Sequence, residues 1–455
     1  MKVNGYAYIH TIGCQMNVYD SEKLAAILNA CGFEKTLDKD KADIVVCNTC
    51  SIRHKAEEKA FSFLGQFARI KKKNPHLVTV MAGCVAQQEG EKAFDRVAHL
   101  NIVLGTRAFS RFGRHIDAVL SGVERVVDIE DSDVIYESKP DTAAFDENKI
   151  SRFVTIMQGC ENFCTYCVVP YVRGKERSRT PESIIEEITL LAQANVKEVT
   201  LLGQNVNSYG CRENQISFPQ LLARINEIKG LERIRFATSH PKDLSMDLIK
   251  AIRDLDRVCN HLHLPVQSGS NRILKKMNRG YTREAYIDRI NELKTQCPDI
   301  ALSTDIIVGF PSETDDDFND TLDLMQQVEF DSVFAFAYSD RSSAPAAKFA
   351  DQIDEVEKMN RLNRLLGIQD TYTEKKNQAL IGKTLKVLVE GKSHKQRDGF
   401  DPGPDHNEQM TGRTESNKIV HFPSGHSRPG DLLFIEITHA YTHSLWGYPL
   451  EQELR

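Results

Sequence analysis

Short apolar runs alternate with amphipathic helical stretches along most of this chain, and that alternation leaves few folds open. In the first 120 residues the apolar runs fall at 6–12 (YAYIHTI), 42–47 (ADIVVC), 77–82 (LVTVMA) and 102–104, with helical patterns at 20–31, 53–73 and 87–96. Strand–helix–strand order with short loops needs crossover connections, hence a parallel sheet covered by helices. Asp20 or Ser21 is the expected N-cap of the first helix. The alternation returns with strands at 153–157, 197–202, 232–237, 261–265, 302–308 and 332–337, and helices at 181–194, 217–229, 245–255, 282–296 and 314–328. Thr180-Pro181-Glu182 reads as an N-cap followed by a proline at the first helical position. Six strand–helix units are too few for a closed eight-fold barrel. They predict a partial (β/α)6 barrel or an open sheet.

The rest of the chain is different in character. Residues 121–150 are acidic and polar and read as a linker. Residues 353–379 form a charged helix. Beyond it, short β-rich runs separated by Gly, Pro and Asn predict a small C-terminal β-barrel. The α/β fold therefore divides into an N-terminal parallel-sheet domain at 1–120, a linker at 121–150, a central domain at 151–375, a barrel at 376–447 and a tail at 448–455. A net charge of −6 over 455 residues excludes a wholly basic nucleic-acid coat but not a local basic groove. Residues 1–13 lack the apolar run of a secretory signal, and no stretch approaches 18 apolar residues. A cytoplasmic protein with reduced thiols and no membrane contact is expected.

Those thiols number 11. Cys160, Cys164 and Cys167 share one loop with C-x3-C-x2-C spacing, directly after the first strand of the central domain. Three soft thiolates so close converge on one metal centre, an iron–sulfur cluster or zinc. Zinc usually takes a fourth ligand, and none lies nearby in sequence. Cys14, Cys50 and Cys84 each follow one of the first three strands. In a parallel sheet those carboxyl ends share an edge, so three distant residues become neighbours. Glycines at 13 and 83 allow a close backbone approach there. Cys47 and Cys50 also form C-x2-C, a rival zinc or redox pair. Cys50, which begins the loop, is the preferred ligand. Cys47 ends an apolar run and reads as core, as do the isolated Cys31, Cys211, Cys259 and Cys297.

C-x3-C-x2-C with Tyr166 before its last cysteine resembles the radical S-adenosylmethionine enzymes. The strings GCQMN, NTCSIR, GCVAQQ, CENFCTYCVVPYVRG, LLGQNVN, SHP, HLPVQSGS and GFPSET resemble, in order and over nearly the whole chain, the methylthiotransferase branch of that superfamily. Within it they look most like the tRNA 2-methylthio-N6-isopentenyladenosine synthases, the MiaB type. The resemblance implies two four-iron four-sulfur clusters, one on Cys160, Cys164 and Cys167 and one on Cys14, Cys50 and Cys84. It also implies S-adenosylmethionine as cofactor, a TRAM-like RNA-binding barrel, an electron donor such as a flavodoxin or ferredoxin, and a tRNA substrate carrying isopentenyladenosine beside the anticodon. The reaction implied replaces C–H by C–S–CH3 at carbon 2 of that base. Rival readings are the same chemistry on threonylcarbamoyladenosine or a ribosomal-protein aspartate, and a non-catalytic RNA-binding iron–sulfur protein. Ser312 departs from the family's usual GFPGET.

Around the clusters, Tyr166, Gly203, Gln204 and Asn205 are expected at the cofactor by that resemblance. His263, Gln267, Ser268 and Asp305, with Gly309 and Pro311, lie at strand ends, which line the mouth of such barrels. Tyr171, Arg173, Lys175, Arg177 and Arg179 form a basic run beside the cluster loop that could meet RNA phosphates and a base. On the C-terminal barrel, Lys386, Lys392, Lys395, Arg397 and Arg413 offer charge. Phe400, Phe422, Phe434, Tyr441 and Trp446 offer stacking faces.

Overall fold

Three layered units follow one another in the computed structural model, which describes residues 5–51, 54–131, 135, 149–341, 343–393 and 408–450. The first is a six-stranded parallel sheet. Its strands are ordered Phe33–Lys35, Gly5–Ile12, Ile44–Thr49, Val78–Gly83, Ile102–Leu104 and Val126–Asp128. The Val- and Ile-rich central strands are buried along their whole length, as a sheet covered on both faces requires. Leu24, Leu28, Phe112 and Ile116 pack on one face, and Phe61, Leu64 and Phe67 on the other. The chain winds outward in opposite directions from Gly5–Ile12. That reversal opens a crevice over the carboxyl ends of Gly5–Ile12 and Ile44–Thr49.

Four details depart from expectation. The first helix spans Gln15–Ala30 with Cys14 as N-cap, so Asp20 and Ser21 lie inside it. The 53–73 helix divides into His54–Gly65 and Ala68–Lys73. The strand Phe33–Lys35 is too short to show an apolar run. Val126–Asp128, inside the expected linker, pairs with Ile102–Leu104 and carries the sheet past residue 120. Most of the remaining linker, and the tail from 451, lie outside the described residues.

All six expected strands of the central domain form. They make two parallel three-stranded sheets: Arg233–Phe236, Glu198–Leu202 and Ser151–Thr155, then His261–His263, Ala301–Val308 and Ser332–Ala337. An isolated bridge, Ile234 to Val258, joins them. The result is a partial barrel, with Val154, Val199, Ile234, Leu262 and Ile306 packed under the outer helices. Thr180 caps the helix Pro181–Gln193 by accepting from the Ser183 N–H. The long helix Glu355–Gln378 leans on the last strand and sends Gln369 to the Phe330 carbonyl at 2.9 Å.

The third unit is a closed five-stranded barrel of Thr384–Lys392, Gln409–Thr414, Ile419–Pro423, Leu445–Pro449 and Leu432–Ala440. Its final strand runs beyond residue 447. Phe422 and Trp446 are fully buried in it, so they build its core and offer no stacking face. Phe434 is exposed. Lys395, Arg397 and Phe400 lie outside the described residues. The barrel docks under the amino ends of the central strands. Arg233 donates to the carbonyls of Arg413 and Lys386 at 2.6 and 2.9 Å, and Arg235 to those of Thr414 and Glu415 at 2.6 and 2.9 Å.

Candidate active site

The loop carrying Cys160, Cys164 and Cys167 is pinched at its base, where Met157–Gln158 pairs antiparallel with Arg177–Ser178. Gly159 makes the pinch possible. Its φ is +83°, and a Cβ there would stand 2.0 Å from the Lys175 carbonyl oxygen. Each sulfur then receives one N–H. Asn162 Nδ2 reaches Cys160 Sγ at 3.4 Å, Arg279 Nη1 reaches Cys164 Sγ at 3.3 Å, and the Val169 amide reaches Cys167 Sγ at 3.5 Å. Such N–H···S bonds are what cluster thiolates accept from their surroundings. Burial raises the Cys160 and Cys167 thiols, the latter to about 12. Iron binding at these two thiols would have to release their protons.

Cys14, Cys50 and Cys84 also meet. Cys50 hydrogen-bonds both Cys14 and Cys84. A Cβ on Gly13 would lie 2.6 Å from the Cys50 Cβ, which measures how closely the first two loops touch. Asn17 and Asn48 lash those loops together: Asn17 Nδ2 donates to Asn48 Oδ1 at 3.2 Å, and Asn48 Nδ2 to the Asn17 carbonyl at 2.9 Å. Cys14 caps one helix and Cys84 opens another, where peptide dipoles favour a thiolate. The Cys50 hydrogen bond lowers Cys14 to about 6 and Cys84 to about 7, with the Arg173 charge acting in the same direction. Cys50, between two thiolates, is pushed up. Cys47 sits in the core with Val45 and Met81, so the C-x2-C pair does not share a site. Among the described residues no trio of His, Cys, Asp or Glu closes around a single ion. A cluster is a larger body that asks one thiolate per iron.

The junction between these triplets is tied by long-range contacts. Arg173 is 3% exposed, pairs with the fully buried Asp20 at 2.7 Å and donates to Cys84 Sγ at 3.4 Å. Arg179 is 2% exposed and is held by Glu187 at 2.5 Å and the Tyr19 hydroxyl at 3.1 Å. Neither guanidinium can reach RNA phosphate, which corrects the expectation for both. Their carboxylate partners explain the burial: a buried cation needs a paired charge. Tyr171 and Lys175 remain exposed and Arg177 is half-buried. Arg413 pairs with Glu390 at 2.9 Å.

Three family models match in chain order: an uncharacterized protein family, UPF0004, at residues 6–105, the radical SAM superfamily at 154–325 and the TRAM domain at 378–450. A tRNA-2-methylthio-N(6)-dimethylallyladenosine synthase of Desulfosudis oleivorans is 50% identical over 447 residues, 97% of this chain and 96% of that one. One of Syntrophus aciditrophicus is 45% identical over 99% and 95%. This chain belongs to the radical S-adenosylmethionine methylthiotransferase family. Among solved structures, the radical methyltransferase TsrM of Kitasatospora setae shares the fold, with a TM-score of 0.58, 12% identity and 76% and 75% of the two chains covered.

Membership in this methylthiotransferase family brings iron–sulfur chemistry and S-adenosylmethionine, and one set of buried polar atoms fits an amino-acid-bearing cofactor. At the carboxyl ends of three adjacent strands, Thr155 Oγ1, Asn205 Oδ1, Ser239 Oγ and His240 Nε2 are buried without a protein partner. Such atoms call for a polar ligand or water. Sequence reasoning placed Asn205 there but missed Thr155, Ser239 and His240, although the SHP string at a strand end was a usable signal. It also missed Arg279 and Asp20. Gln204 is engaged elsewhere: its carbonyl accepts from the Gly159 amide at 2.5 Å, and its amide meets Met16 Sδ. It thus spans the two cysteine loops. Gly203 is buried on the same turn, and Tyr166 accepts from Arg279 at 3.3 Å. His263 faces Asp305 at 3.5 Å and Phe334 edge-on. Gln267 is buried in a left-handed turn with φ +75°. Ser268 is wholly buried, with its hydroxyl 3.5 Å from that of Thr321.

Proposed function

We propose that this chain installs a methylthio group at carbon 2 of N6-isopentenyladenosine in tRNA. The observation that carries the reading is the pair of thiol triplets facing one domain junction in a chain aligned end to end with synthases of that name. Carbon 2 of adenine bears a C–H that no side chain ionises at neutral pH. S-adenosylmethionine supplies, when bound, both the methyl group and a 5′-deoxyadenosyl radical. Cys160, Cys164 and Cys167 would hold one four-iron four-sulfur cluster and Cys14, Cys50 and Cys84 a second, supplying one-electron chemistry and a sulfur-rich surface.

The residues divide the work. Arg279 and Asn162 stabilise thiolate charge at the central triplet. Thr155, Asn205, Ser239 and His240 orient the cofactor's polar groups. Gln204 keeps the two loops at a fixed separation. Tyr171, Lys175 and Arg177, at the rim, and Arg413 on the C-terminal barrel meet RNA, whose flexible loop base is unstacked at modest cost. A flavodoxin or ferredoxin delivers the electron, and the work is cytoplasmic. Among the described residues no helix is long and apolar enough to cross a membrane. Mass spectrometry of tRNA nucleosides from cells lacking the gene tests the reading. Loss of the 2-methylthio group from isopentenyladenosine is expected. Its persistence, or loss from threonylcarbamoyladenosine instead, overturns the substrate.

A further inference from the structure

Arg173 belongs to the central domain in sequence and to the N-terminal triplet in space. Its guanidinium is buried, which is costly unless every N–H finds an acceptor. Nη2 has Asp20 and Nε has the Cys84 sulfur, but Nη1 has no protein partner, and neither does Asp20 Oδ1. The N-terminal domain fixes where Arg173 sits. Arg107 donates to its carbonyl through Nε at 2.8 Å and Nη2 at 2.6 Å, and Thr106 Oγ1 donates to the Val172 carbonyl at 2.6 Å. An ordinary interdomain ion pair would account for Asp20. It would leave the bond to a thiol sulfur and the idle Nη1 unexplained.

We infer that Arg173 is a positioning residue for the cluster held by Cys14, Cys50 and Cys84, setting its charge balance and donating to its sulfurs. The inference rests on the two-cluster reading above. A cation beside a cluster favours the reduced, more negative state, as do hydrogen bonds to its sulfurs. Reduction adds one electron and moves no atom, so the effect is purely electrostatic. Asp20 partly offsets it, and the two residues act with opposite sign.

The test uses the full chain with Cys160, Cys164 and Cys167 replaced by alanine, reconstituted anaerobically and titrated with dithionite under electron paramagnetic resonance. Arg173→Gln should shift the midpoint potential down, Asp20→Asn should shift it up, and Arg173→Lys should fall between Gln and the parent. A merely structural ion pair predicts otherwise. Unmoved potentials, or shifts of the same sign in Arg173→Gln and Asp20→Asn, overturn the inference. If Arg173→Gln fails to hold iron, the sign of the Asp20→Asn shift decides alone. A parent protein without iron overturns the two-cluster reading, and the inference with it, on a different measurement.

Discussion

The two cysteine triplets reach similar ends by different routes. One is a motif: Cys160, Cys164 and Cys167 share a loop closed by a two-residue ladder, and each sulfur takes its own N–H. The other is a product of topology: Cys14, Cys50 and Cys84 come from three strand ends beside the point where the sheet's winding reverses. The first has its three sulfurs in one loop, with one N–H brought by Arg279 from elsewhere in the same domain. The second needs a folded sheet and is completed by an arginine from the next domain. A site whose ligands share one loop therefore depends on fewer distant contacts than one assembled from three strand ends and a second domain.

Removing single ligands should separate the two most sharply. Cys164→Ala is expected to abolish 5′-deoxyadenosine formation, assayed by chromatography, while about four of about eight irons remain. Cys14→Ala should keep 5′-deoxyadenosine formation and lose methylthio product, with a similar loss of iron. If both variants lose both activities, the triplets are not independent. Arg235→Ala should come next, read by thermal unfolding. It strands Glu198, paired at 2.8 Å, and frees two carbonyls of the C-terminal barrel, so a loss of about 3–5 kcal/mol is expected.

Acid should act on both halves of the central barrel. Burial lowers His240 to about 2 and His261 to about 3, with nearby cations adding to it. Between those values and about 6.5 the unfolded chain binds protons that the folded chain refuses. Stability therefore falls as pH drops below about 6.5, by up to about 1.4 kcal/mol per pH unit for each group. A denaturation series with His261→Gln should flatten the slope, and an unchanged slope would remove His261 from the account. The smallest effect belongs to Ser312. It holds φ +67°, a conformation that favours glycine, and it accepts from Lys276 at 2.6 Å. Ser312→Gly should change stability by at most about 1 kcal/mol, because relief of strain and loss of the hydrogen bond offset each other.

Legibility in sequence followed the same division. The motif triplet and all six central strands were readable because their signals are local. The sheet triplet was readable once strands were placed, since parallel topology puts their carboxyl ends together. What stayed hidden depended on partners far away. Arg173 and Asp20 are 153 residues apart, and within a run of cations nothing local marks Arg173 and Arg179 as buried. Asp20 looked like a helix cap because a cysteine, Cys14, is an unusual one. Val126–Asp128 was invisible because a three-residue edge strand carries almost no periodicity.

The docking of the C-terminal barrel has a consequence for substrate choice. Arg233 and Arg235 grip its backbone, and Lys418 adds an ion pair to Asp331 at 3.2 Å. The barrel is therefore clamped and does not swing on a tether. Under the proposed tRNA reading, the fixed distance from its surface to the cysteine loops acts as a ruler: an RNA held on the barrel would bring a base to those loops only when its own arm has the matching length.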